Sequence, residues 1–314
     1  MIFGTPITWF FTEVFASVLF IICIIHALQQ ENGKIKLIEL LAFILYSAIF
    51  ENIGVFMDIY DYNVNRIMMI GKVPIEILML EGVIFYVALR LAEKLHIPKW
   101  GIPFVVGFLA SMQDMTIDPA AVFDLHKLGG VMSGQWNWTL RYDGTFFGIP
   151  FFNFSGWMYL MAFFVIALEL GALLHKKIKN ESFGYYYPFL AVIPALLMLV
   201  SISRFVLFFQ PFFPMYTRGA EIGMLVFNYL LGLFILLRYQ KIDKPFDLKN
   251  DGLFFFIPVA LHLFDIIIAF SLKIEIAYIP VVVVSLFHIS YLLFVYLKGK
   301  SLSKSTLQNQ VVGV

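Results

Sequence analysis

The chain has 314 residues, of which 61% are hydrophobic, 18% aromatic and only 14% charged; a soluble domain of that size cannot hide so much apolar surface, so its solvent is lipid. A formal net charge of +1 gives no electrostatic footing for nucleic acid or an acidic partner. Cys23 is the single cysteine, which excludes an internal disulfide and a cysteine-based metal cluster.

Apolar runs of about 20 residues, enough to cross roughly 30 Å of hydrocarbon as helix, fall at Ile7–Leu28, Ile35–Phe56, Pro74–Leu91 and Gly101–Asp118. Others follow at Phe151–Leu174, Tyr185–Phe209, Met215–Leu237, Leu253–Leu272 and Tyr278–Leu297. These runs predict an all-α fold, a polytopic transmembrane helix bundle of about nine spans, with residues 1–314 forming one integral-membrane domain. No Lys or Arg precedes Lys34, so the first run lacks the basic head of a cleavable signal peptide and is read as a retained span. Residues 298–314 are expected as a short, frayed tail, and Pro194 and Pro258, inside spans, as kinks.

Orientation follows from the basic residues. Fifteen Lys and Arg between Lys34 and Lys304 fall in loops on one side, against Arg66, Lys72, Lys127, Arg141, Arg218 and Lys273 on the other. This asymmetry predicts a cell-membrane protein with its N-terminus outside and its tail in the cytoplasm. Glu13, Glu51, Glu76, Glu81, Asp114, Asp118, Arg204, Glu221 and Asp265 then lie in the outer half of their helices, and only Glu39 and Glu169 toward the cytoplasm. Ionisable groups in lipid face a cavity or a partner. One outer polar cavity is therefore expected, roofed by the loops Met57–Val73 and Pro119–Pro150, with Arg204 pairing one carboxylate. Ion pairs that merely tie helices together are the alternative for any one of these groups.

The stretch Asp114–Trp157 is the longest without an apolar span of its own, and too aromatic for disorder. Asp114 and Asp118 share a helical face one turn apart, so in an apolar cavity both cannot ionise cheaply. Pro119 is expected to end the helix, which makes Asp118 the better acid. Trp136, Trp138, Phe146, Phe147 and Trp157 supply π faces, the lining suited to a carbocation. The bland alternatives are two solvated aspartates at a helix end and an interfacial aromatic belt. Asp58-Ile59-Tyr60-Asp61 with Asp114 and Asp118 resembles the paired Asp motifs of UbiA-type membrane prenyltransferases, but on the wrong side for a cytoplasmic diphosphate. The six histidines show no two at metal-ligand spacing, so no metal site is expected.

Asp118-Pro119, Trp136-Asn137-Trp138 and Phe146-Phe147-Gly148-Ile149-Pro150 running to Asn153 and Gly156-Trp157 are similar to a known pattern. So are Glu51-Asn52-Ile53-Gly54, Tyr60 with Tyr62, and Val73-Pro74. They resemble the carotenoid-biosynthesis membrane protein family that includes the carotenoid 1,2-hydratases, such as bisanhydrobacterioruberin hydratase and γ-carotene 1′-hydroxylase. The likeness is specific between Glu51 and Trp157; it departs at Phe56-Met57-Asp58-Ile59, in place of a Gly-rich loop, and at Glu81, in place of a Trp. The resemblance implies addition of water across a terminal trisubstituted C=C of an isoprenoid, without metal or redox cofactor. On that reading Asp118 is the acid, Asp114 or Glu51 the base, and Trp136, Trp138, Phe147 and Trp157 the wall, with Tyr60 and Asn153 positioning the substrate. Expected partners are a lipophilic isoprenoid, membrane lipid and other isoprenoid-pathway membrane enzymes. A prenyltransferase, or a non-enzymatic lipid-binding or transport protein, is the alternative.

Overall fold

A computed structural model describes residues 1–139, 145–209, 218–243, 246 and 251–312. Arg141, Lys244 and Lys249 of the charge count therefore lie outside the described residues. The helices are α1 (Ile7–Gln29), α2 (Gly33–Phe56), α3 (Ile75–Lys94), α4 (Ile102–Val122) and α5 (Phe151–Ile178), then α6 (Glu181–Leu190), α7 (Val192–Phe209), α8 (Arg218–Tyr239), α9 (Leu253–Ser271) and α10 (Glu275–Val312). Together they form an all-α polytopic bundle, and among the described residues seven helical stretches are long and apolar enough to cross a membrane.

The remaining two expected spans are α3 and α4, and they are the polar ones. Helix α3 carries Glu76, Glu81, Arg90, Glu93 and Lys94, while α4 carries Ser111, Gln113, Asp114, Thr116 and Asp118. Groups of this kind are expensive against lipid, and both helices are buried along almost their whole length. Helix α4 packs against α3, α5, α8, α9 and α10, and α3 against α1, α2, α4 and α9, so the apolar helices stand between the polar pair and the bilayer. Lipid tails are as apolar as Leu, so this packing is held by dispersion and close fit. Phe43 stacks on Phe85 at 4.1 Å with Phe164 edge-on to both, each aromatic pair contributing about 0.5–1.5 kcal/mol beyond its area. At the end of the bundle where α2 begins and α3 ends, Glu39 pairs with Arg90 and accepts from Tyr187, and Glu169 pairs with Lys99.

Three expectations about helix ends change. Pro119 does not stop α4, which runs one more turn to Val122; the ring removes only its own N–H, while buried Ala120 and Ala121 and a bond from Gln135 N to Ala121 O (3.1 Å) hold the last turn. The span placed at Tyr185–Phe209 is broken at Ala191 between α6 and α7, because Pro194 cannot donate to the Leu190 carbonyl four residues back. The expected tail instead continues α10 as helix to Val312.

The loops after α2 and α4 form short antiparallel ribbons. Strand β1 (Tyr60–Tyr62) pairs with β6 (Trp136–Trp138) in the register Tyr60↔Trp138, Asp61↔Asn137, Tyr62↔Trp136, joining the loop after α2 to the loop after α4. The hairpins β2–β3 (Met69–Ile70, Val73–Pro74), β4–β5 (His126–Leu128, Val131–Ser133) and β7–β8 (Thr145–Phe146, Ile149–Pro150) flank it. One arginine locks this roof down. Arg66 is buried, pairs with Glu76 at 3.1 Å, donates to the Gln135 carbonyl at 3.1 Å and sits 4.6 Å over the Trp9 ring. Beside it, Ile67 N donates to the Glu13 carboxylate. Thr8 Oγ1 donates to Asp124 at 2.8 Å, fastening α1 to the roof as well.

Candidate functional site

Beneath the β1–β6 ribbon lies a cavity where α2, α3, α4 and α5 converge. Four carboxyls line it: Glu51 from α2, Glu81 from α3, and Asp114 and Asp118 from α4. The i,i+4 spacing sets the two aspartates on one face of α4. Pro150 starts α5 so that Asn153, in its first turn, points at them: Asn153 Nδ2 donates to Asp114 Oδ2 at 2.8 Å and to Asp118 Oδ2 at 2.7 Å. Across the cavity Tyr62 donates to Glu51 Oε2 at 2.6 Å, and Ser47 Oγ donates to Glu81. Glu51 also faces Glu81 and the Tyr60 hydroxyl.

Among the described residues, no Lys, Arg or His lines the cavity. Like charges about 4 Å apart repel by roughly 4 kcal/mol at an effective dielectric near 20. Four carboxylates without a cation among them cannot all be charged, so the cluster mixes proton donors with proton acceptors, which is what acid–base chemistry needs.

The ceiling is aromatic. Alternation along a strand puts Tyr60 and Tyr62, and Trp136 and Trp138, on the inner face of the ribbon. Tyr60 meets Trp138 edge-on at 5.1 Å, and Tyr62 meets Trp136 at 5.9 Å. Tyr60 reaches in because residue 54 is glycine: a Cβ there would collide with the Tyr60 phenol. Burial first, and then the Glu51 carboxyl, hold both phenols well above their usual range, so each stays a neutral O–H donor.

The structure brings together Glu51, Tyr60, Asp114, Asp118, Trp136, Trp138, Asn153 and Trp157, all expected at the site from sequence. Phe147 is not with them. It opens the β7–β8 turn at φ +49° beside Gly148 at φ +82°, the positive-φ pair that a two-residue hairpin demands, and its ring packs on Phe146. Arg204 is exposed on α7; the roof's arginine–carboxylate pair is Arg66–Glu76. Asp58 and Asp61 are exposed while Tyr60 between them is buried, so the prenyltransferase-like motif does not converge on Asp114 and Asp118. Sequence reasoning left Glu81 and Tyr62 out of the site. Their signals were a glutamate well inside an apolar helix and a tyrosine two residues from Tyr60, hence on the same strand face.

A second buried polar group also went unread. His262 on α9 and His288 on α10 lie 3.0 Å apart, with Gln113 within 3.2 Å of both. Thr116 donates to Asp265 at 2.6 Å alongside. Sequence separation hides the histidine pair, and among the described residues no group of three or more His, Cys, Asp or Glu is placed to hold a metal ion.

A family model described as carotenoid biosynthesis protein matches residues 11–217. No curated protein and no solved structure matches the chain significantly.

Proposed function

The chain belongs to the carotenoid biosynthesis protein family, and from that premise we propose that it is a membrane hydratase adding water across a terminal trisubstituted C=C of an isoprenoid. The observation that carries this reading is the cluster of four carboxyls under a Tyr/Trp ceiling, with no cation among the described residues that line it. Asp118 gives its proton to the less substituted alkene carbon, and the π electrons form the new C–H bond. The positive charge left on the tertiary carbon faces Trp136 and Trp138, whose π faces stabilise a desolvated cation by about 2 kcal/mol. Water attacks that carbon, and Asp114 or Glu51 takes the proton water loses. The sum is substrate plus water giving a tertiary alcohol, with no change of redox state. Tyr60, Tyr62 and Asn153 fix the carboxyls and the incoming oxygen.

Lipid extracts of isoprenoid-accumulating cells with and without the protein test the reading. A product heavier by one water is expected, and in H₂¹⁸O its hydroxyl should carry the label. Label arriving from ¹⁸O₂ would make the enzyme an oxygenase and end the hydratase reading.

The excess of basic residues in alternate loops supports a roof on the outer surface and a cytoplasmic C-terminus. In intact cells an impermeant maleimide is expected to label Asp61→Cys, exposed on the ribbon, and to reach Lys176→Cys only after permeabilisation. The reverse pattern would invert the protein.

A further inference from the structure

The carboxyl cavity does not stand alone. A second, smaller cavity adjoins it, divided from it by one layer of side chains, Ile77, Leu80, Ile117 and Trp136, which belong to both walls. A third small cavity shares Leu261 with the second and Ile84 with the first. It shares Ile257 in turn with a groove between α1 and α9. Ile22, Ile25 and Phe256 of that groove are exposed on the outside of the bundle, where lipid lies. Above the groove the α1–α9 seam is closed at the second cavity by Phe15 stacked on Phe264 at 4.4 Å, both only half-buried.

We propose that these cavities are one binding path for a linear isoprenoid hydrocarbon, which passes from the bilayer between α1 and α9, past Phe15 and Phe264, and rests with its reacting end among the four carboxyls. The path rests on reading the carboxyl cluster as the reacting end. Its dividing layer is mainly aliphatic, and such side chains change rotamer without moving the backbone. Of the polar groups that border it, Asp265 accepts from Thr116 and Gln113 Nε2 lies within hydrogen-bond distance of His288, while the Gln113 amide oxygen has no partner among the described residues. A sugar, peptide or nucleotide would leave its own polar groups unmatched along such walls, whereas a hydrocarbon chain has none to match.

Two variants test the path on the full-length protein. In Phe15→Cys/Phe264→Cys, a short bifunctional maleimide ties α1 to α9. Uptake of an acyclic tetraterpene polyene from lipid vesicles, followed by the shift of its visible absorption, is expected to fall about tenfold or more on cross-linking. Uptake as fast in the cross-linked as in the free protein would overturn the proposal. Ala120 lines the second cavity, so Ala120→Phe is expected to lower uptake of the same polyene by about tenfold or more. Unchanged uptake would overturn it equally. Failure of the hydratase reading is distinguishable, because uptake is read by absorption whether or not water is added.

Discussion

Asp118→Asn is expected to lower product formation by about 10²–10⁴-fold, the usual loss when a positioned general acid goes, while the folded protein remains in the membrane. The substitution keeps size and leaves an oxygen to accept from Asn153, so the α4–α5 link survives. Expression and monodispersity should match the unmodified chain, which separates chemistry from folding. Asp118 is favoured over Asp114 by its place rather than by a helix end. The helix goes on to Val122, and Asp118 lies one turn further than Asp114 toward the end of α4 that leads into the Trp136–Trp138 strand. If Asp114 is the base, Asp114→Asn inactivates too; loss at Glu51→Gln with Asp114→Asn active would move that role to α2. A fully active Asp118→Asn would remove the residue from the chemistry.

The second large effect is structural. Arg66→Ala is expected to destabilise the protein by about 3–5 kcal/mol, the cost of leaving one partner of a buried ion pair alone. Both side chains are at most 1% exposed, so solvent does not screen the loss of the Glu76 contact. The same change removes the bond to the Gln135 carbonyl and the contact with Trp9. Arg66→Met/Glu76→Leu should recover most of the stability, because the charges then leave together. Denaturation in detergent by near-UV circular dichroism reads both. A single variant within about 1 kcal/mol of the parent would mean the roof is fastened elsewhere.

What the sequence revealed, and what it hid, divides by range. Asp114 and Asp118 were legible because one helical period decides that they share a face. Trp136 with Trp138, and Tyr60 with Tyr62, declared themselves by the period of two. The pairing of those two strands was not legible, since nothing local says that the loop after α2 meets the loop after α4. Glu81 was noticed as a charge in lipid, but its approach to Glu51 is a packing of two helices. His262 and His288 are 26 residues apart and meet only where α9 packs on α10, so no local spacing announces their contact. Phe147 was misplaced because its aromaticity was read before its backbone: Phe-Gly between short β segments is a turn, and turn chemistry set where the ring could go. Pro119 was read by the rule for an isolated helix, whereas its last turn is held from outside by the Gln135 bond. Of the nine expected spans, seven are long and apolar enough to cross a membrane among the described residues, and the other two, α3 and α4, carry the polar side chains and lie inside the others.

The Asn153 bridge narrows what residue 153 can be. An amide nitrogen has two hydrogens, and here each goes to a different carboxyl. Aspartate would bring a fifth acid and no donor on a carboxylate; serine offers a single hydrogen; glutamine carries the same group one carbon too far. Leucine would fill the space and leave both acids without the bond. Position 153 is thus spelled almost uniquely by stoichiometry. An allele altered there would be ambiguous to a geneticist, since the atoms that hold the two acids also rivet α4 to α5.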